Sequence, residues 1–121
     1  MTKYIIVITL LALMVGCGTD QITLPDPDPV NLAPVISKLV VDPVIISLGS
    51  QAFTHVTVSD PDNLNSELKF YWQSTGGEMN NNGAEWNVYT PFYSGNYVIM
   101  LTVCDPGGLC DYAEKPIQVI Q

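Results

Sequence analysis

The sequence predicts an all-β fold, an antiparallel sandwich of about seven short strands over residues 35–121, and three observations carry that prediction. Apolar and polar side chains alternate with period two through most of this span, and no helical period is visible. Gly, Pro, Asn and Asp interrupt the alternating runs about every ten residues, the spacing at which strands reverse in sandwiches. The chain has 121 residues, 47% hydrophobic and only 13% charged, which supports one small domain with extensions.

Val35 to Val40 forms the first strand, broken by Asp42-Pro43 because proline has no ladder donor. Val44 to Leu48 continues as a second short piece ending at Gly49. Over Ala52 to Ser59, Ala52, Thr54, Val56 and Val58 share one face, with Phe53, His55, Thr57 and Ser59 on the other. Leu68 to Gln73 sets Leu68, Phe70 and Trp72 opposite Lys69, Tyr71 and Gln73. Trp86 to Tyr89 is shorter and is ended by Pro91. Asn96 to Cys104 is the strongest strand, with Tyr97, Ile99, Leu101 and Val103 on its inner face, and a last strand turns Ile117 and Val119 inward. Trp72 is then expected at the centre between the sheets. Tyr97 is expected to turn its ring inward and send its hydroxyl to a nearby backbone group.

Residues 1–34 read differently. Met1 to Lys3 carries one positive charge, and Tyr4 to Val15 is almost free of polar groups. That run falls short of the roughly 20 residues a spanning helix needs. A charged start, a short apolar run and small residues at its end describe a secretory signal peptide over residues 1–16, with a buried core helix as the competing reading. Met14-Val15-Gly16-Cys17 resembles a bacterial lipobox, with Met14 where leucine is usual. The resemblance implies a thioether-linked diacylglycerol on Cys17 and an acylated amino terminus, an anchor that holds firmly because it uses more than one chain. Gly18 rather than Asp after the cysteine points toward the outer membrane. An ordinary signal peptide that leaves Cys17 free is the alternative. Residues 17–34 are read as a tether, with prolines at 25, 27, 29 and 34 favouring polyproline II. Extended at about 3.1 Å per residue, it reaches roughly 50 Å.

Charge excludes some partners. Four Lys, no Arg and twelve Asp plus Glu leave a net charge of −8, so phosphate neutralisation by clustered basic residues is not available and no nucleic-acid partner is expected. The same deficit disfavours electrostatic attachment to anionic lipid. A single histidine, His55, stands outward on its strand with no nucleophile motif beside it, so no enzyme activity and no cofactor are expected.

Cys104 and Cys110 flank Asp105-Pro106-Gly107-Gly108-Leu109, and both have the outward parity of their strands. An exported protein meets an oxidising compartment, and two cysteines facing each other across a short turn can meet the spacing of a disulfide. Free thiols, or a redox or zinc role, are the alternatives; the last two lack a Cys-x-x-Cys, a nearby cation or further ligands in sequence. Asp60, Asp62, Asn63, Asn65 and Glu67 crowd one loop, with Asp105 at the same end. This set suits either a Ca²⁺ site or ordinary Asx turns. Tyr71, Tyr89, Phe92, Tyr93 and Tyr112 are candidates for solvent-facing rings that stack on sugars or anchor a protein interface. Asn80-Asn81-Asn82-Gly83 is a polar loop tip.

Asn31 to Pro34 leading into Val35, Val58-Ser59-Asp60-Pro61-Asp62, Phe70-Tyr71-Trp72, Gly95-Asn96-Tyr97 and Val103-Cys104-Asp105-Pro106-Gly107-Gly108 occur in the order found in PKD-type and related Ig-like repeats. The chain resembles these repeats over residues 31–121. It departs from them at Gln73-Ser74-Thr75-Gly76-Gly77, where Asp-Phe-Gly-Asp-Gly is common. Val88 stands where a tryptophan is frequent, with Trp86 two places earlier. The resemblance implies an Ig-like sandwich without catalysis. Together with the lipobox it leads to the expectation of a membrane-anchored interaction module of the bacterial cell envelope, held by Cys17 and contacting a protein or a polymer in the periplasm or at the cell surface. A structural accessory of an envelope assembly, or a carbohydrate-binding PKD-type module, are the alternatives.

Overall fold

In a computed structural model the described residues are 30–81 and 83–121. Residues 1–16, read as a signal peptide, Cys17 and most of the stretch read as a tether lie outside them, as does Asn82. The compact unit that holds the strands runs from Asn31 to Gln121. Among the described residues it contains eight strands: β1 (Val35–Asp42), β2 (Ile45–Ser47), β3 (Ala52–Ser59), β4 (Lys69–Ser74), β5 (Glu78–Met79), β6 (Trp86–Thr90), β7 (Gly95–Cys104) and β8 (Cys110–Ile120). They form two four-stranded sheets, ordered β1-β3-β6-β5 and β2-β8-β7-β4. The all-β sandwich anticipated from the alternation, Ig-like as the resemblance implies, is therefore present.

One pairing departs from the antiparallel expectation. The chain leaves the first sheet at Asp42-Pro43, whose peptide bond is cis. It enters the second as β2, which runs parallel to β8 through Ile45–Gln118, Ile46–Val119 and Ser47–Ile120. A chain that crosses from one sheet to the other without reversing has to meet β8 in this direction, so the second sheet is mixed.

Alternation becomes packing through the inward side chains. Ala52, Thr54, Val56 and Val58 of β3 are buried and their intervening neighbours exposed. Leu68, Phe70 and Trp72 meet Ile99, Leu101 and Val103 from the adjacent strand, and Ile117 and Val119 close the core from β8. Trp72 is 2% exposed, and its indole N–H donates to the Ala84 carbonyl at 2.8 Å, so the one polar atom of the largest core side chain is satisfied. Tyr97 turns its ring against the core, and its hydroxyl lies 3.0 Å from the Tyr93 carbonyl and 3.1 Å from that of Ser94. This is the tyrosine corner expected at the start of β7.

Strand β1 sits at a sheet edge, where unpaired backbone groups invite pairing with other chains. Its register shifts between Ile36 and Lys38. Side chains of β8 occupy two of its backbone groups: Asp111 accepts the Ile36 N–H at 2.8 Å, and the Lys115 ammonium donates to the Leu39 carbonyl at 3.2 Å. The bulge and the two bonds blunt this edge.

Candidate functional site

The acidic loop between β3 and β4 spends its oxygens on backbone. Asp60 Oδ1 accepts the N–H groups of Asp62 at 2.8 Å and Asn63 at 3.1 Å, an Asx turn. Glu67 accepts the Leu64 N–H at 2.9 Å and closes a single 3₁₀ turn at Asn65–Glu67. Asn65 Nδ2 donates to the Val58 carbonyl and to Glu85. Asp60 Oδ2 and Asn63 Oδ1 are buried without a protein partner. Among the described residues no group of three or more His, Cys, Asp or Glu is placed to hold a metal ion.

Three carboxylates converge instead on the entry of the chain into the domain. Asp62 accepts the Leu32 N–H at 2.6 Å, and Asp111 accepts that of Ile36. Asp105, 4% exposed, accepts the Asn31 side-chain amide at 2.9 Å through Oδ2 and the Leu109 N–H at 2.9 Å through Oδ1. Burying a carboxylate is costly unless such donors replace water. Asn31, Leu32 and the buried Pro34, placed in the tether by their composition, thus pack with the folded unit.

Cys104 and Cys110 form a disulfide with an S–S distance of 2.02 Å. They are directly opposite in the β7–β8 register, on the outward face inferred from parity.

Four of the five candidate surface rings, Tyr71, Phe92, Tyr93 and Tyr112, are exposed. The Tyr112 hydroxyl donates to Glu114 at 2.7 Å, and that bond, followed by desolvation and the carboxylate charge, raises its pKa above the ordinary tyrosine value. Tyr89 is not a surface ring: it is 0% exposed, and its hydroxyl donates to the Gly76 carbonyl. Burial first, and Tyr97 second, push its pKa up. The reason is the parity of β6. Asn87 and Tyr89 point inward; the Asn87 Oδ1 accepts the N–H groups of Asn81 at 2.6 Å and Val88 at 2.7 Å, while its Nδ2 is buried without a protein partner. Asn81 also donates from Nδ2 to the Trp86 carbonyl, so the polar tip after β5 is fastened to β6.

The same parity turns Trp86 outward, where sequence reasoning did not look. Trp86 is 45% exposed and Phe53 50%, and their rings stack with centroids 6.2 Å apart and an interplanar angle of 17°. They lie diagonally across the β3–β6 register, in which His55 opposes Trp86 and Phe53 opposes Val88. The alternation of β3 already put Phe53 and His55 on the outer face. Trp86 could have been found by asking which of two aromatics three residues apart must face out. On its other side Trp86 borders an open groove of about 320 Å³, also lined by Asn65, Ser66, Ala84 and Glu85. Among the described residues no helix is long and apolar enough to cross a membrane.

No family model matches the chain, and no curated protein is significantly similar to it in sequence. Solved structures are similar in fold. The PKD1 domain of the Vibrio cholerae metalloprotease PrtV is 22% identical with a TM-score of 0.57, the match covering 74% of this chain and 100% of that one. The PKD1 domain of Vibrio anguillarum Epp is 24% identical with a TM-score of 0.54, covering 74% and 96%. A nucleoside hydrolase-related hypothetical protein of Saccharophagus degradans, associated with carbohydrate metabolism, is 23% identical with a TM-score of 0.57; the match covers 74% of this chain and 26% of that one. The chain thus spans about a quarter of that protein. At these identities the likeness establishes a PKD-like fold.

Proposed function

We propose that this PKD-like sandwich is a non-catalytic interaction module of the bacterial cell envelope, held at a membrane by lipid on Cys17 and contacting another protein or a polymer through its outer faces. The observation that carries the reading is how the side chains are used. Five carboxylates, those of Asp60, Asp62, Glu67, Asp105 and Asp111, each hold a backbone amide in place. Six aromatic side chains, Phe53, Tyr71, Trp86, Phe92, Tyr93 and Tyr112, are exposed alongside aliphatic ones, and aromatic rings supply contact area at small conformational cost. PKD domains of larger proteins and a protein associated with carbohydrate metabolism share the fold, which fits a module that touches a partner. The lipobox-like Met14-Val15-Gly16-Cys17 and the proline-rich stretch after it support an anchor and a spacer, with the outer membrane favoured by Gly18.

The test is expression of the full chain and of Cys17→Ser in a bacterium fed radiolabelled palmitate. Label in the parent protein and its recovery with membranes, both lost in Cys17→Ser, is the expected result. An unlabelled chain in the soluble fraction overturns the anchor.

A further inference from the structure

We propose that the β2 edge pairs with the same edge of a second copy, joining the mixed sheets of two chains into one around a two-fold axis at Ile46. This self-association goes beyond the anchored-module reading. Among the described residues the two sheets end in the strands β1, β5, β2 and β4, and all but β2 are protected. Strand β1 is blunted by its bulge and by Asp111 and Lys115. Strand β5 has two residues, and β4 is approached by the segment before β6, whose Ala84 accepts the Trp72 indole N–H. Along β2, Val44-Ile45-Ile46-Ser47-Leu48 is an uncharged run rich in β-branched residues. It lacks the charge, proline or bulge with which natural edges resist pairing.

The register of this edge is self-complementary. The Val44 carbonyl accepts the Gln118 N–H at 2.8 Å and the Leu48 N–H donates to the Ile120 carbonyl at 2.6 Å, so Val44, Ile46 and Leu48 face β8. By strand alternation Ile45 and Ser47 turn their N–H and C=O groups to the open side. The Ser47 carbonyl accepts the Ser50 N–H at 2.9 Å and keeps a second lone pair. Antiparallel pairing centred on Ile46 sets Ile45 opposite the partner's Ser47, and each such pair exchanges both backbone bonds. It also sets Val44 beside the partner's Leu48. Val44 and Leu48 share the inward parity of the buried Ile46 but stay 46% and 39% exposed, since β2 is the last strand of its sheet. Each copy thus covers the apolar rim of the other. Charge favours the same arrangement. At a net charge of −8 two copies repel each other. Asp105 and Asp111, however, stand at the far end of β8, roughly 30 Å from Ile120 along the strand against a screening length of about 8 Å. The two-fold axis turns these acidic ends apart. Asp42, the charge nearest in sequence, belongs to β1 in the other sheet.

The full chain, in excess micelles of a polyoxyethylene detergent whose density matches the buffer, is followed by sedimentation equilibrium. The concentration spans roughly 5–500 μM, where interfaces below the standard size associate. A reversible monomer–dimer equilibrium is expected. Ile45→Lys sets ammonium groups on diagonal sites of the joined strands, and Ser47→Pro removes an outward N–H that β8 does not use. Each should raise the dissociation constant about tenfold or more, with Trp86→Ala and Tyr71→Ala unchanged. Urea midpoints check folding, and Ile45→Lys, at an exposed position, decides the matter if Ser47→Pro unfolds. A parent chain that is monomeric throughout overturns the pairing, as does a dimer indifferent to both β2 variants. So does a mass that keeps rising past the dimer, because a two-fold edge contact closes on itself. A dimer dissolved by Trp86→Ala and not by Ile45→Lys assigns association to the other sheet and overturns the β2 edge as its site. None of these results depends on lipid at Cys17, so failure here is distinguishable from failure of the anchored-module reading.

Discussion

Replacing Trp72 with alanine removes the largest side chain from the space between the sheets, where it is 2% exposed. Truncating a buried aromatic to alanine costs about 3–5 kcal/mol through lost transfer energy and a residual cavity. The indole N–H bond to the Ala84 carbonyl is lost as well, adding about 1 kcal/mol. A domain of this size is stable by only about 5–10 kcal/mol, so Trp72→Ala should be close to unfolding at room temperature. Trp72→Phe separates the two contributions, because it keeps most of the apolar volume and loses the donor; it should cost about 1–3 kcal/mol. Equilibrium urea denaturation followed by circular dichroism reads both, with the slope m compared to confirm that the unfolded state is unchanged. A loss below about 1 kcal/mol for Trp72→Ala contradicts the central placement. A Trp72→Phe variant as damaged as Trp72→Ala contradicts the division between packing and hydrogen bonding.

Other consequences follow from the same contacts. Closing so short a loop, Cys104–Cys110 should contribute about 2 kcal/mol, read as the shift in urea midpoint on substituting both cysteines by alanine; two cysteines alkylated without reductant would exclude the bridge. Asp105→Ala strands the Asn31 amide and the Leu109 N–H, so it should cost about 2–4 kcal/mol, and Asn31→Ala less; equal, negligible losses would remove the clamp. Gly77 has φ +96°, and a Cβ there would lie 2.7 Å from the Tyr89 ring and 2.8 Å from the Thr90 carbonyl. Gly77→Ala should therefore lower stability by about 2 kcal/mol or more, and a neutral result by the same assay refutes that geometry. Because Tyr89 is held neutral by burial, its raised pKa contributes stability that is whole below the unfolded tyrosine value, about pH 10, and is lost as pH rises through the folded value. Urea titrations on either side of that pH should show the decline in the parent chain and a flatter profile in Tyr89→Phe.

How far the fold could be read from the sequence depended on burial of one face at a time. Strands β3, β4 and β7 were legible because each buries every second residue, so Val56, Trp72 and Leu101 announce their own direction. Strand β5 has two residues and no period to read. The first half of β8, Cys110 to Pro116, is largely exposed, and only Ile117 and Val119 mark its inner face. The parallel pairing of β2 depends on where Pro43 sends the chain, which no local pattern records.

The candidate site divides in the same way. Parity was enough to bring Cys104 and Cys110 together, and the Asx chemistry of Asp60 is local. Asp105 holding Asn31 is a contact across 74 positions, invisible before the fold is known. In β6 the short strand offered Trp86 and Tyr89 on opposite faces. Burial settled it: Asn87 and Tyr89 face the core, with the Asn87 oxygen bonded to the N–H groups of Asn81 and Val88, and Trp86 faces out.

The anchored-module account is tested most directly by mass spectrometry of the full chain extracted from membranes of a bacterium that expresses it. The account predicts an N-terminal peptide beginning at Cys17 and heavier than its sequence by a thioether-linked diacylglycerol and an amide-linked acyl chain. A chain that retains Met1 to Gly16, or one that begins at Cys17 with an unmodified thiol, contradicts it.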